Sequence, residues 1–112
     1  MKIDRLKVYQ KYNGKCAYCG CDIEFKKMQV DHFYPQHLTR PIEFEINHGS
    51  NLMPSCQKCN NHKSGMTIEM WRKELERHSD MLLKSAQFLR AVKFGQVVIT
   101  KKPIVFYYED HR

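Results

Sequence analysis

The chain has 112 residues, enough for one ordinary domain with one modest core. It carries 19 Lys and Arg against 12 Asp and Glu, a formal charge of +7, and is 42% hydrophobic and 28% charged, which excludes a disordered tail. No apolar run approaches the ~18 residues of a membrane-spanning helix, so no membrane association is expected.

The first ten residues mix charged and apolar side chains with no signal-peptide core, which points to a reducing cytoplasm. There the five cysteines read as metal ligands or nucleophiles before they read as disulfides. Positive charge is spread along the whole chain without a basic tail, a distribution that suits a polyanion partner.

Apolar residues at 3, 6, 8, 9 and 12 predict a helix over Ile3–Tyr12, stopped by Asn13-Gly14. Lys15 to Gly20 reads as a tight turn carrying two thiols, and Met28–Phe33 as a short strand. Pro41–Ser50 reads as loop, and Asn51-Leu52-Met53 as a short apolar segment stopped by Pro54. Cys56–Lys63 opens a helical turn or short helix. Thr67 is a predicted N-cap, with Glu69 in the first turn of a helix that shows Ile68, Trp71 and Leu75 on one face. Ser79 or Asp80 is the predicted cap of a further helix with Leu82, Ala86, Leu89 and Lys93 on one face, closed by Gly95. Gln96–Thr100 and Ile104–Tyr108, joined by Lys101-Lys102-Pro103, predict a hairpin. This last third is expected to pack as scaffold, with its Met and aromatic residues in a core.

Cys16-x2-Cys19 and Cys56-x2-Cys59 are two metal-ligand turns far apart in the chain. One such turn offers two thiolates at ~2.3 Å, and two facing turns complete a tetrahedron, so structural zinc is expected. Cys21 has the poorer spacing and reads as a spare thiol beside the knuckle. The metal would fix whatever follows Cys59, which is Asn60.

Between the two turns lies Val30-Asp31-His32-Phe33-Tyr34-Pro35, and Asn51 precedes the second turn. Adjacent Asp31 and His32 on a strand point to opposite faces, so one can hold a metal while the other faces a water. Asp and Asn offer hard oxygen ligands that suit Mg²⁺ or Mn²⁺ better than zinc. A neutral imidazole is a good base for activating water.

The order CxxC, Val-Asp-His-x-x-Pro, Asn-Leu, Cys-x-x-Cys-Asn-x-x-Lys resembles the HNH (His-Asn-His) endonucleases, especially the small phage and bacterial members with a four-cysteine zinc site. The resemblance covers residues 12–65. It implies an α+β fold: a zinc-stapled ββα-metal core over 12–65, followed by a helical and hairpin extension over 66–112, in one domain. It also implies a DNA endonuclease in a bacterial or phage setting. His32 would be the general base. Asp31 and Asn60 would hold the catalytic ion, Asn51 would brace the loop and orient His32, and Lys63 would lie near a phosphate. The motif reads His-Asn-Asn here, and Asn60 is a weak ligand, so the ion would be held loosely without a substrate phosphate.

Further DNA contacts are expected from His62, Arg40, Arg72 and Lys73, with His37 and Arg77 as lesser candidates against a plain solvated face. A homodimer or a phage or bacterial protein partner stays open. The competing reading is a zinc-ribbon module that binds nucleic acid without cutting; a zinc-knuckle protein-interaction module is the third.

Overall fold

The computed structural model describes residues 3–35 and 48–111. Two compact units divide the chain: one comprises residues 1–68 together with 105–112, the other residues 69–104. The core unit therefore recruits both the N-terminal helix and the last few residues around the central motif.

Helix α1 spans Arg5–Gln10, shorter than the predicted Ile3–Tyr12, because Asp4 caps it by accepting the Lys7 N–H. Val8 is its buried residue. The chain then turns through Asn13 and Gly14, both at positive φ, into the first cysteine turn. An antiparallel bridge between Lys15 and Asp22 closes that turn, and inside it the Cys16 N–H donates to the Cys21 carbonyl at 2.8 Å. Gly20, at φ +79°, lies so close to the Tyr107 ring that a Cβ would sit 2.8 Å from it.

Strand β1 spans Gln29–His32 and pairs antiparallel with β2, Leu52–Ser55, in the register Val30 to Pro54 and His32 to Leu52. Pro54 thus lies within a strand instead of stopping one. A two-stranded sheet has only edges, where the missing N–H is tolerated, and the Pro54 carbonyl accepts the Ala17 N–H at 2.9 Å. One 3-10 turn, Gly49–Asn51, leads into β2. Helix α2, Gln57–Lys63, follows, with the Cys56 sulfur as its cap acceptor. β1, β2 and α2 form the ββα-metal core of an α+β fold.

The second unit holds the body of α3 (Ile68–Glu76), then α4 (His78–Leu82) and α5 (Ala86–Lys93). The single helix predicted from residue 80 onward is two helices, because Ser85 breaks the run and caps α5 by accepting the Phe88 N–H. Among the described residues of this unit Trp71 is the buried hydrophobic, while Met81, Leu82, Leu89, Phe94 and Val98 are exposed. The expected scaffold core is thus mostly missing, because so short a segment encloses little volume.

The predicted hairpin is not formed. Residues 97–106 have no regular structure and Tyr107–Asp110 form the short helix α6. The backbone donors of this segment go elsewhere: Tyr107 N–H donates to the Tyr18 carbonyl at 2.9 Å and Tyr108 N–H to the Ala17 carbonyl at 2.7 Å. Arg72 and the Ile104 carbonyl, and Lys101 and Asp80, tie the preceding stretch to α3 and α4.

The returning segment packs aromatic rings behind the cysteine turn. Tyr18 meets Phe106 and Tyr108 edge-on at 5.8 and 6.2 Å, and Phe33 meets Tyr108 at 5.4 Å. Phe106 is buried at the centre of this group. Replacing it with Ala is expected to cost about 3 kcal/mol in urea unfolding; a loss under about 1 kcal/mol would remove the ring from the core.

Candidate active site and metal centre

The two cysteine turns meet. The sulfur atoms of Cys16, Cys19, Cys56 and Cys59 all lie within 4.8 Å of one another, and Cys19 and Cys56 are 3.8 Å apart. A tetrahedron with ~2.3 Å metal–sulfur bonds has edges of about 3.8 Å, so the spacing fits a zinc-type site. It does not fit a disulfide, whose sulfurs are ~2.05 Å apart. Cys16 is buried and Cys19 exposed, so the cluster sits at the edge of the core.

The thiols share their charge unequally. A hydrogen bond from Cys59 holds Cys16 down to about 4, against the cost of burial, and backbone N–H groups add to the effect. Cys59 is pushed up by making that bond and by burial. Burial pushes Cys19 up as well. The group thus accommodates one thiolate readily, and several thiolates at this spacing require a cation between them. Cys21 lies outside the four; burial, and then its hydrogen bond to Cys19, push it up to about 12, as suits a spare thiol.

The second feature is a cleft of about 270 Å³ bordered by Val30, Asp31, His32, Pro35, Asn60, Ser64 and Gly65. The strand alternation separates Asp31, which is buried, from half-buried His32. Both nevertheless border this one cleft, which opens where β1 ends. Asn60 reaches it from α2. Two oxygen-bearing side chains and an imidazole around one open space are a donor set that fits a hard divalent ion.

Asn51 holds the chain just beyond His32. Its side-chain oxygen accepts the Tyr34 N–H at 2.8 Å, its side-chain amide donates to the Tyr34 carbonyl at 3.3 Å, and its own carbonyl accepts the Phe33 N–H at 2.8 Å. The turn bearing Asn51 is in turn held by Lys11, whose ammonium donates to the Gly49 and Leu52 carbonyls, both at 2.7 Å. Partial burial draws the Lys11 pKa down.

Lys63 is not where a phosphate contact needs it. Its side chain is 0% exposed, it pairs with Asp31 at 3.0 Å, and it donates to the His32 carbonyl at 3.2 Å. An apolar interior admits a lysine only when it is paired, and Asp31 supplies that partner. Tyr18 contributes the other contact to Asp31, its hydroxyl donating to the carboxylate at 2.5 Å. Nothing in the sequence reading singled Tyr18 out. Its only signal was its place inside the first cysteine turn.

Arg72 is similarly occupied by Glu69 and the Ile104 carbonyl, so it does not follow a DNA backbone freely. Arg77 pairs with Glu74, and Lys73 and His62 are exposed. Arg40 and His37 lie outside the described residues. Among the described residues no helix is long and apolar enough to cross a membrane.

Residues 16–65 match the family model of the HNH endonucleases, and this segment is an HNH endonuclease domain. A CRISPR-associated endonuclease Cas9 of Corynebacterium diphtheriae is 33% identical over 69 residues, 62% of this chain and 6% of the relative. The Septu protein PtuB of Bacillus thuringiensis is 38% identical over 61 residues, 53% of this chain and 23% of its own length. The SPbeta prophage-derived YoqL of Bacillus subtilis, named as an HNH endonuclease, is 32% identical over 91 residues, 73% of this chain and 38% of its own. The crystal structure of the type II-C Cas9 from Actinomyces naeslundii superposes with a TM-score of 0.54 at 30% identity, covering 63% of this chain and 7% of that one. The chain thus spans well under half of each of these proteins.

Two outcomes follow from the geometry. Cys59→Ser is expected to lose the tightly bound metal and the cooperative melt together, measured by metal analysis and near-ultraviolet circular dichroism. Burial, and then the Asp31 charge, raise the Tyr18 phenol above its ordinary value. The stability this contributes is complete below the unfolded phenol's pKa of ~10 and is lost as pH rises toward the folded value. Tyr18→Phe should therefore flatten the fall in stability above about pH 10 relative to the wild type; an identical alkaline limb would place the buried phenol elsewhere.

Proposed function

We propose that this chain is a metal-dependent DNA endonuclease that hydrolyses phosphodiester bonds, with zinc in the four-cysteine site as a structural staple. The observation that carries the reading is the meeting of Asp31, His32 and Asn60 on one cleft, inside the segment matched to the HNH family. Asp31 and Asn60 would hold a divalent Mg²⁺ or Mn²⁺ ion. Such an ion, when bound, supplies positive charge that offsets the charge growing on the phosphate and leaving oxygen.

The side chains of the protein do the rest. His32 takes a proton from the attacking water, at an imidazole nitrogen that must be neutral to accept it. The Asn51 clamp on Tyr34 and Phe33 fixes the backbone immediately after His32, limiting how far the ring can swing. Lys63 takes the His32 carbonyl, fixing the backbone at the base itself. Attack at phosphorus with loss of the 3′-oxygen leaves 5′-phosphate and 3′-hydroxyl ends, as the family resemblance implies. The net charge of +7 draws the polyanion to the protein.

The test is a supercoiled-plasmid assay with Mg²⁺ or Mn²⁺, with and without EDTA. Cutting should require the ion, and His32→Ala should lower the rate at least about a hundredfold while keeping zinc and fold. A wild type that shifts DNA in a gel yet never cuts it would instead support the non-cutting zinc-ribbon module.

A further inference from the structure

The Lys63–Asp31 pair has no part in the proton transfer just described, and a fully buried amine does not meet a phosphate. The arrangement around Asp31 is nevertheless specific. Two contacts from the described residues fall on one oxygen: the Tyr18 hydroxyl and the Lys63 ammonium meet at Oδ2, at 2.5 and 3.0 Å. Oδ1 takes part in neither, while Asp31 borders the cleft with His32 and Asn60. Lys63 also ties consecutive residues of β1 together through the His32 carbonyl. It stands three residues beyond Asn60 on α2, so the helical turn that brings Asn60 to the cleft is pinned to Asp31.

We propose that Tyr18 and Lys63 are positioning residues that clamp one oxygen of Asp31, making it a one-oxygen, charge-compensated ligand, so that the divalent ion is captured together with a DNA phosphate and not before it. The inference rests on the reading of the cleft given above. The two clamp residues act differently. Tyr18 is a neutral donor, which orients the carboxylate without cancelling its charge. Lys63 sets a full positive charge against the same carboxylate, and this opposes a second cation on the other oxygen. Burial keeps that opposition from being screened as it would be at the surface. Asn60 adds an oxygen but no charge. The cleft therefore offers donors without the net negative charge that draws a bare ion, and a phosphate supplies what is missing.

The test is a Mn²⁺ titration of the zinc-loaded full chain followed by electron paramagnetic resonance, with and without a phosphorothioate duplex that resists cutting. Wild type should bind Mn²⁺ weakly alone and at least about tenfold more tightly with the duplex. Lys63→Met should bind Mn²⁺ alone about tenfold more tightly than wild type, shrinking the duplex effect. Tyr18→Phe should bind it about threefold more weakly in both settings. A purely structural role would lower the melting temperature of both variants without moving Mn²⁺ affinity in opposite directions. Affinity that depends on Asp31, tested with Asp31→Ala, but ignores both substitutions overturns the clamp alone. Mn²⁺ binding that ignores Asp31→Ala overturns the clamp and the reading of the cleft together. Should Lys63→Met fail to fold, the Tyr18→Phe result decides.

Discussion

Four sulfur atoms drawn from two distant turns lie within 4.8 Å of one another, and the rest of the core unit is arranged around that meeting. Without it, nothing in the short sheet is strong enough to hold the chain between the turns. Two strands of four residues each bury little surface and are marginal by themselves. The meeting of the sulfurs sets the start of α2 against the first turn, and the Ala17 to Pro54 hydrogen bond docks that turn on β2. Cys56 serves twice, as a cluster sulfur and as the cap of the helix that carries Asn60.

Tyr18 carries the effect of the metal turn to the cleft. Its backbone belongs to the cysteine turn, its ring to the aromatic group behind it, and its hydroxyl to Asp31. One side chain thus joins the cysteine cluster to the cleft by a direct hydrogen bond. Lys63 closes the same circuit from the other side, since it ends the helix that Cys56 begins. The cleft is thus built from two anchors that converge on a single carboxylate oxygen.

The parts of this arrangement that depend on spacing along the chain were readable in the sequence. The cysteine pairs, the Asp-His strand and the short helix after Cys56 are local patterns whose residue types state their chemistry. What escaped is what depends on where a side chain finally points. A lysine three residues after Asn60 looks like a surface cation until burial and Asp31 claim it. Gln96–Thr100 and Ile104–Tyr108 are rich in strand-forming residues, and propensity alone predicts a hairpin. The carbonyls of Ala17 and Tyr18 outcompete that pairing, and no local pattern announces them. Ser85 does not stand out as a cap in the sequence, because the apolar period runs straight through it. Asn51 is singled out in the sequence only by the family resemblance, since an Asn after Gly-Ser is otherwise an ordinary turn former; its hydrogen bonds to Tyr34 are visible only in the fold.

The second unit is an excursion from the first: the chain leaves the core after Ile68 and re-enters it at Val105. The aromatic backing of Tyr18 therefore comes from a stretch far along the chain from the cysteine turns, and a contact between such distant segments must first meet the entropy of closing the loop between them. That entropy grows only slowly with loop length, so the excursion between Ile68 and Val105 could be lengthened with little loss of stability while slowing the closure of the wall behind Tyr18.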